Sequence, residues 1–353
     1  MLRPVAIGCV VFLVLAGSGS ARETESIRGF EVGTLFGLTH HASDGEGATV
    51  IGLPSSPTLG IPGIPSLYVS WFPVARMSVG SEFSAGRTAG DVFGITSLYF
   101  GGRGTYFPLG TARSGLYVLC QGALRHFDLR ERPSVTDLAV GGGLGYRRRL
   151  GPAFVLRAEG RYRRWFDDGV DDFSLLFGLG AQSGGGGEVS SIGGPLYEIG
   201  TRFGFSRISS DDDSIVMMAA PGSPTSGVLG NPSIYLSWFP SARMSVGPEI
   251  NIGRSSGSTI RTTSLNLGGR ALFSLRDNAD SGPYLLCNGA VLVLDVNERE
   301  AEADFSAGGG VGYQLRAGAA FLLRAEGQYR RWFDDEVNDF SLLVGLGARV
   351  GGR

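Results

Sequence analysis

Residues 156–181, LRAEGRYRRWFDDGVDDFSLLFGLGA, return almost letter for letter at 323–348 as LRAEGQYRRWFDDEVNDFSLLVGLGA. A chain built this way is a tandem duplication, and both copies have to share one architecture. The register is constant: Trp71 and Trp238, Cys120 and Cys287, Trp165 and Trp332 all stand at an offset of 167. Such a period makes each copy domain-sized, far above the roughly 20–50 residues of a solenoid repeat. Within the repeated stretch the side chains alternate strictly. Phe154, Leu156, Ala158, Gly160 and Tyr162 fall on one face, and Arg157, Glu159, Arg161 and Arg163 on the other. That is the period of a strand, with one face suited to oil and the other charged. After the acidic turn WFDDGVDDF a second strand sets Phe173, Leu175, Phe177 and Leu179 against Ser174, Gly178 and Gly180. A hairpin with an apolar outside and a polar inside is the unit of a transmembrane β-barrel.

The rest of each copy continues the pattern. Strands are expected at about 29–41, 66–73, 75–87, 95–107, 115–127 and 138–148, followed by the hairpin already described, roughly eight per copy. Each has about the length that a tilted strand needs to cross hydrocarbon. Connections at 72–75, 109–112 and 150–152 are tight, whereas those at 42–65, 128–136 and 166–172 are longer; barrels of the outer membrane have short periplasmic turns and longer external loops. Trp71, Phe72, Tyr106 and Phe107 beside the tight turns, and Trp165 and Phe166 beside a long one, are placed as an aromatic girdle would be. The segment 48–65, ATVIGLPSSPTLGIPGIP, is too apolar for a free loop and is expected to fold on the barrel mouth, extend a hairpin or contact a partner.

At the N-terminus a single arginine, an apolar run over 5–16 and small residues up to Ala21 read as a cleaved secretory signal peptide, residues 1–21. The run is shorter than the ~18 residues of a helical span. The expected organisation is then a first barrel over 28–182, a Gly/Ser-rich linker over 183–195 and a second barrel over 196–350. A formal charge of −2 argues against nucleic acid. Every basic residue is arginine, which suits charge-paired, partly buried positions. Cys120 and Cys287, at equivalent places, read as small apolar fillers rather than a disulfide framework.

The alternation turns Glu82, Arg103, Arg157 and Glu159 inward near mid-strand, with Glu31 nearer one end, and Glu249, Arg270, Arg324, Glu326 and Glu198 as counterparts. Unpaired charge in a dry interior is prohibitive, so opposite signs at similar depth imply an ion-paired plug or gate. Ala139, Gly141, Gly143 and Gly145 face the strand carrying Arg157, Arg161 and Arg163, and Ser306, Gly308, Gly310 and Gly312 repeat the arrangement beside Arg324 and Arg330. Small residues opposite long ones are needed only in a narrow lumen.

On these residues each copy resembles the small outer-membrane β-barrel domains typified by OmpA, OmpX and OmpW. The resemblance implies an eight-stranded antiparallel up-and-down barrel with a packed, charged interior and mobile outer loops. It also implies outer-membrane lipid and the barrel-assembly machinery as partners, with an extracellular ligand at the outer loops. Such barrels usually end on an aromatic residue that the machinery reads. Here the last residues are Arg349 to Arg353, so the corresponding signal would be FSLLVGLGA at 340–348.

Signals for chemistry are sparse. The histidines are His40, His41 and His126, and their second-copy counterparts are Arg207, Ile208 and Val293, so a histidine-dependent site would exist in one copy only. Asp167, Asp168, Asp171, Asp172, Asp334, Asp335 and Asp339 are candidate Ca²⁺ ligands, although their spacing is not that of an EF-hand. The glycines of 141–145 lie inside a strand with no following helix, so they fail as a dinucleotide loop, and no cofactor is implied. The reading is an all-β, non-enzymatic protein of the outer membrane of a Gram-negative-type bacterium. Two tandem eight-stranded barrels with charge-plugged lumens would serve envelope integrity, surface interaction or slow passage of small solutes. The alternatives are one porin-like barrel of about sixteen strands, a lipid-modifying outer-membrane enzyme, and a soluble lipid-binding barrel with its apolar side chains inside.

Overall fold

The computed structural model describes residues 29–43, 46–52, 67–89, 94–111, 114–129, 133–150, 154–167, 169–182, 194–209, 214–219, 234–256, 261–276, 281–296, 301–317, 321–334 and 336–352. The expected signal peptide and most of the expected linker lie outside these residues. Among them no helix is long and apolar enough to cross a membrane, a statement that does not bear on strands.

The first copy forms β1 (Gly29–Ser43), β2 (Glu46–Gly52), β3 (Leu67–Val74), β4 (Met77–Ala89), β5 (Gly94–Thr111), β6 (Ser114–Leu129), β7 (Val135–Leu150), β8 (Phe154–Trp165) and β9 (Asp171–Gln182). β1 pairs antiparallel with both β2 and β3, each strand from β3 to β8 pairs antiparallel with the next, and β9 closes on β1 from Glu31↔Gln182 to Ala42↔Asp171. The second copy repeats this with β10 (Gly194–Ser209), β11 (Ser214–Ala219), β12 (Ile234–Trp238), β13 (Met244–Ser256), β14 (Arg261–Ser274), β15 (Gly282–Val296), β16 (Glu302–Ala317), β17 (Phe321–Trp332) and β18 (Asn338–Gly352), with β18 closing on β10. The chain therefore forms two closed antiparallel eight-stranded barrels.

Eight staves are built from nine strand segments because one stave is interrupted. The free edge of β1 is shared: β3 takes Gly29 to Thr34, and β2 takes Gly37 to Ser43. Residues 46–52, expected to begin a long apolar connection, are thus a strand, in keeping with the β-branched Thr49, Val50 and Ile51. The remainder of that connection, 53–66, lies outside the described residues.

The interruption has a consequence at the end of the molecule that carries the long connections. There β2 pairs not with its own β4 but with β13 of the other barrel, from Gly52↔Gly253 to Thr49↔Ser256. Reciprocally β11 pairs with β4, from Ala219↔Gly86 to Val216↔Ala89. Both exchanges share one register after subtraction of 167, so the barrels are related as in an isologous dimer. Each barrel closes by itself at the short-turn end, while at the other end the strands run as one ring of sixteen in the order β1, β2, β13 to β18, β10, β11, β4 to β9. The rival single barrel of sixteen strands is realised at this rim only. Below it the barrels abut along a narrow apolar crevice lined by Val32, Thr34 and Phe154 and their counterparts Ile199, Thr201 and Phe321.

Side chains sort as alternation demands. Along β8 the charged positions Arg157, Glu159, Arg161 and Arg163 are buried, whereas Tyr162 is exposed. The outer face carries apolar residues such as Phe100, Leu144, Phe173, Phe340 and Leu342, each more than half exposed. So extensive an apolar exterior suits hydrocarbon and not water. This overturns the soluble lipid-binding barrel, which needs the opposite polarity. The girdle is corrected too. Trp71 and Phe166 point outward, but Phe72, Phe107 and Trp165 are buried in the lumen, because their parity in the strand places them on the charged face.

The rim exchange has a direct check. Residues facing each other across an antiparallel pair have Cα atoms about 4.5–5.5 Å apart, within disulfide range. In a background with Cys120 and Cys287 replaced by Ser, Ile51→Cys with Arg254→Cys is expected to cross-link under mild oxidation. Protease cleavage between residues 183 and 193 followed by non-reducing electrophoresis should then keep the two halves together. Separate halves would mean that the barrels do not share the rim.

Candidate functional site

The lumen of each barrel holds a stack of ion pairs. In the first barrel, at the short-turn end, Glu31 accepts from Arg157 Nε at 2.6 Å, from Arg147 Nη2 at 2.6 Å and from the Tyr68 hydroxyl at 2.6 Å. Arg147 also donates to Gln182 Oε1 at 2.8 Å. At mid-height Arg103 bridges two carboxylates, Glu82 and Glu159, at 2.7 Å each. Arg161 bridges the same two, reaching Glu82 at 2.8 Å and also Glu159, which accepts from Tyr117 as well. Nearer the sixteen-stranded rim Asp172 accepts from Arg163 at 3.1 Å and from Trp165 Nε1 at 2.6 Å, while Asp137 pairs with Arg125 at 3.1 Å.

The geometry follows from strand parity and from glycine. Strands β8, β4 and β5 deliver most of the long charged side chains, and β7 beside β8 has glycine at 141, 143 and 145, where a side chain would compete with them. A Cβ on Gly141 would lie 2.7 Å from Arg163 Cγ, and one on Gly308 2.6 Å from Arg330 Cγ. On Gly145 and Gly312 it would strike the rings of Tyr117 and Tyr284. The guanidinium planes are also stacked. Arg157 lies 4.9 Å from the Tyr68 ring centroid and 5.7 Å from that of Tyr117, and Arg324 lies 5.3 and 5.6 Å from Tyr235 and Tyr284. A planar cation fits between ring and carboxylate where an ammonium would not, which gives the all-arginine composition a structural reason.

The second barrel keeps the constellation with different residues. Glu198 accepts from Arg324 and from Tyr235, at 2.8 Å each, and has Arg349 at 3.6 Å. Glu326 accepts from Arg270 and Tyr284 at 2.6 Å and from Arg202 at 2.8 Å; Arg202 and Arg270 also reach Glu249, at 2.5 and 3.2 Å. The place of Arg161 is taken by Gln328, and its role passes to Arg202, whose first-copy counterpart is Leu35. Likewise Arg147 and Gln182 become Gln314 and Arg349, the arginine having moved from β7 to the strand corresponding to β9. Each central cluster thus has three glutamates and four arginines: Glu31, Glu82 and Glu159 with Arg103, Arg147, Arg157 and Arg161, and Glu198, Glu249 and Glu326 with Arg202, Arg270, Arg324 and Arg349.

All ten lumen residues expected from sequence lie in these clusters. Arg147, Arg202, Arg349 and the four tyrosines were missed. Arg147 sits in the run Arg147-Arg148-Arg149, where parity excludes Arg148 and leaves Arg147 and Arg149, of which Arg147 is fully buried. Arg202 and Arg349 have uncharged counterparts, so comparing the copies hides them.

The acidic turns do other work. Asp171 pairs with Arg164 at 2.6 Å, Asp172 faces the lumen, and the backbone amides of Asp167 and Asp334 donate to Asp137 and Asp304 at 2.9 Å. Asp339 is held by Arg330 at 2.5 Å and by Ser341 at 2.7 Å. Asp168 and Asp335 lie outside the described residues, among which no group of three metal-ligating side chains forms. His126 Nδ1 meets Thr136 Oγ1 at 2.8 Å on the exposed face. Cys120 and Cys287 are free thiols.

The role exchange between Arg161 and Arg202 makes a prediction. Removing one partner of a buried pair costs about 3–5 kcal/mol. Arg161→Gln alone should therefore lower the urea midpoint of the refolded protein markedly, and adding Leu35→Arg, the second barrel's solution, should recover most of the loss. A double variant no more stable than the single one would show that the two arginines are not interchangeable.

No protein-family model and no curated protein matches the chain. Among solved structures it is similar to a bacterial polysaccharide outer membrane secretin, at 7% identity and a TM-score of 0.35 over 94% of this chain and 100% of that one. It is also similar to the CymD monoaromatic hydrocarbon channel (9%, 0.32, 92% and 88%) and to the translocator domain of the autotransporter NalP from Neisseria meningitidis (12%, 0.25, 98% and 95%).

Proposed function

We propose that the chain is a non-enzymatic protein of the bacterial outer membrane, a tandem of barrels of the small OmpA, OmpX and OmpW type, whose lumens are closed to diffusion and whose rim is the working surface. The observation that carries this reading is the ion-paired stack. Arg103, Arg157, Glu31, Glu82 and Glu159 in one barrel, and Arg270, Arg324, Glu198, Glu249 and Glu326 in the other, leave each residue at most 4% exposed. An aqueous pore lined by charges would leave them wet. The apolar exterior supports a bilayer location, and the barrel form supports the outer membrane, with its lipid and the barrel-assembly machinery as partners. The sixteen-stranded rim favours surface interaction over transport: a solute entering it meets two plugs and no through-path. An extracellular ligand would bind at that rim.

The test is single-channel conductance of the refolded mature protein in a planar bilayer, with Arg157→Ala and Arg324→Ala beside it. The unmodified protein should be silent or flicker at small amplitude, and each replacement should enlarge the steps. Large, steady, porin-scale steps in the unmodified protein would overturn the plugged reading and restore a diffusion channel.

A further inference from the structure

The two barrels are closed differently at the short-turn end. In the first, Phe72, Phe107, Tyr117 and Leu119 pack into a buried apolar layer, with the ring centroids of Phe107 and Tyr117 5.2 Å apart. Thr105, two residues before Phe107 on β5, bonds the Ser78 hydroxyl across the β4–β5 pair at 2.6 Å. In the second barrel both positions have changed: Ser274 stands for Phe107 and Leu272 for Thr105. The first change removes a phenyl ring from the layer. The second leaves Ser245, the counterpart of Ser78, facing Leu272 across the β13–β14 pair. Ser245 is 2% exposed, and its Oγ has no hydrogen-bond partner among the described residues. A small cavity lies there, lined by Phe239, Arg243, Ser245, Ser274, Tyr284 and Gln314, with room for about one water molecule. Arg243 at its edge is exposed. Arg349, which takes the place of Arg147 beside the phenylalanine of this layer, is 9% exposed where Arg147 is fully buried.

A cavity stays dry only when its walls are apolar; one that gathers hydroxyl and amide groups takes up water. Here Ser245 supplies a buried hydroxyl whose desolvation no side chain offsets, and Ser274 and Gln314 add further polar groups. In the first barrel the same ground is held by the Phe107 ring and the bond between Ser78 and Thr105, so no hydroxyl there calls for a partner. We propose that the second barrel holds a hydrated pocket at its short-turn end, a site for water or another water-sized polar molecule on Ser245 Oγ, and that it is the weaker seal of the two. The pocket ends against the plug, because Tyr284 in its wall donates to Glu326 at 2.6 Å. The inference rests on the reading of both lumens as plugged, since only then is the pocket blind and reached from the short-turn end alone. The first barrel is closed by an apolar layer and an ion-paired stack, the second chiefly by its stack.

Hydrogen peroxide, a probe close to water in size, reads the difference in the refolded full-length protein with Cys120 and Cys287 replaced by Ser. Ser245→Cys and Ser78→Cys each place a single thiol at the two equivalent positions, and the free thiol that survives exposure is titrated in urea. The thiol at 245 is expected to be oxidised about tenfold faster than the one at 78, because thiol oxidation follows access. Adding Ser274→Phe, the first barrel's solution, should slow the reaction at 245 to the rate at 78. Phe107→Ser added to Ser78→Cys should speed the reaction at 78. Each variant is read while it keeps its β-sheet circular dichroism, and the Ser274→Phe arm decides alone should Phe107→Ser not fold. Equal slow rates at the two positions, or a rate at 245 unchanged by Ser274→Phe, would overturn the hydrated pocket and leave the plugged lumens standing. Equal fast rates would overturn both, because peroxide would then reach the first lumen as well.

Discussion

A carboxylate turned into an eight-stranded barrel has no water to hold it, and the structure depends on meeting that demand. Each buried glutamate is met at its own height by guanidinium groups and in most cases by a tyrosine hydroxyl. The demand reaches outward into the sequence. Arginine stems are long, so the facing strand has to give up its side chains, and it does so at Gly141, Gly143 and Gly145 and again at Gly308, Gly310 and Gly312. The guanidinium groups are flat, so aromatic rings can fill what remains without competing for the charges. Glycine content, the exclusive use of arginine and the inward tyrosines are therefore three results of one constraint.

The duplication shows what that constraint fixes. Between copies the arginines exchange strands, from Arg161 to Arg202 and from Arg147 to Arg349, yet the glutamates they serve stay in place. The invariant is a charge at a point in the lumen and not a residue at a point in the sequence. In a narrow barrel this freedom is natural, because a long side chain from any of several staves reaches the same axis. The glutamates are shorter and have no such choice.

This separates what the sequence makes legible from what it does not. Barrel class, strand number and the ten inward charges follow from a period of two and from an offset of 167, both local properties. The lumenal placement of Phe72, Phe107 and Trp165 is equally local, a matter of parity, which outweighs nearness to a strand end. Arg202 and Arg349 were out of reach for a different reason. Their partners lie on β17, β13 and β10, and only the closed barrel brings those strands to one axis. The rim exchange was the least legible feature. Nothing in the pattern of residues 46–52 says which barrel their outer edge will join, since a strand edge offers the same amides and carbonyls to any neighbour.

Edges also explain why the outcome is neither two isolated barrels nor one wide pore. Splitting a stave into β2 and β3 leaves β2 displaced from β4, so a single copy would present two short unpaired edges at the rim. Unpaired edges invite another chain, and close to hydrocarbon their polar groups have no solvent. The second copy carries the same two edges, and under a two-fold relation β2 meets β13 where β11 meets β4, in one register. Pairing thereby satisfies all four edges at once. The exchange stops where β3 and β12 take over, because below that point each barrel satisfies its own ladder and the lumen ion pairs require eight staves close around them. Sixteen strands at the rim and eight around each plug are the arrangement in which both the edges and the buried charges find partners.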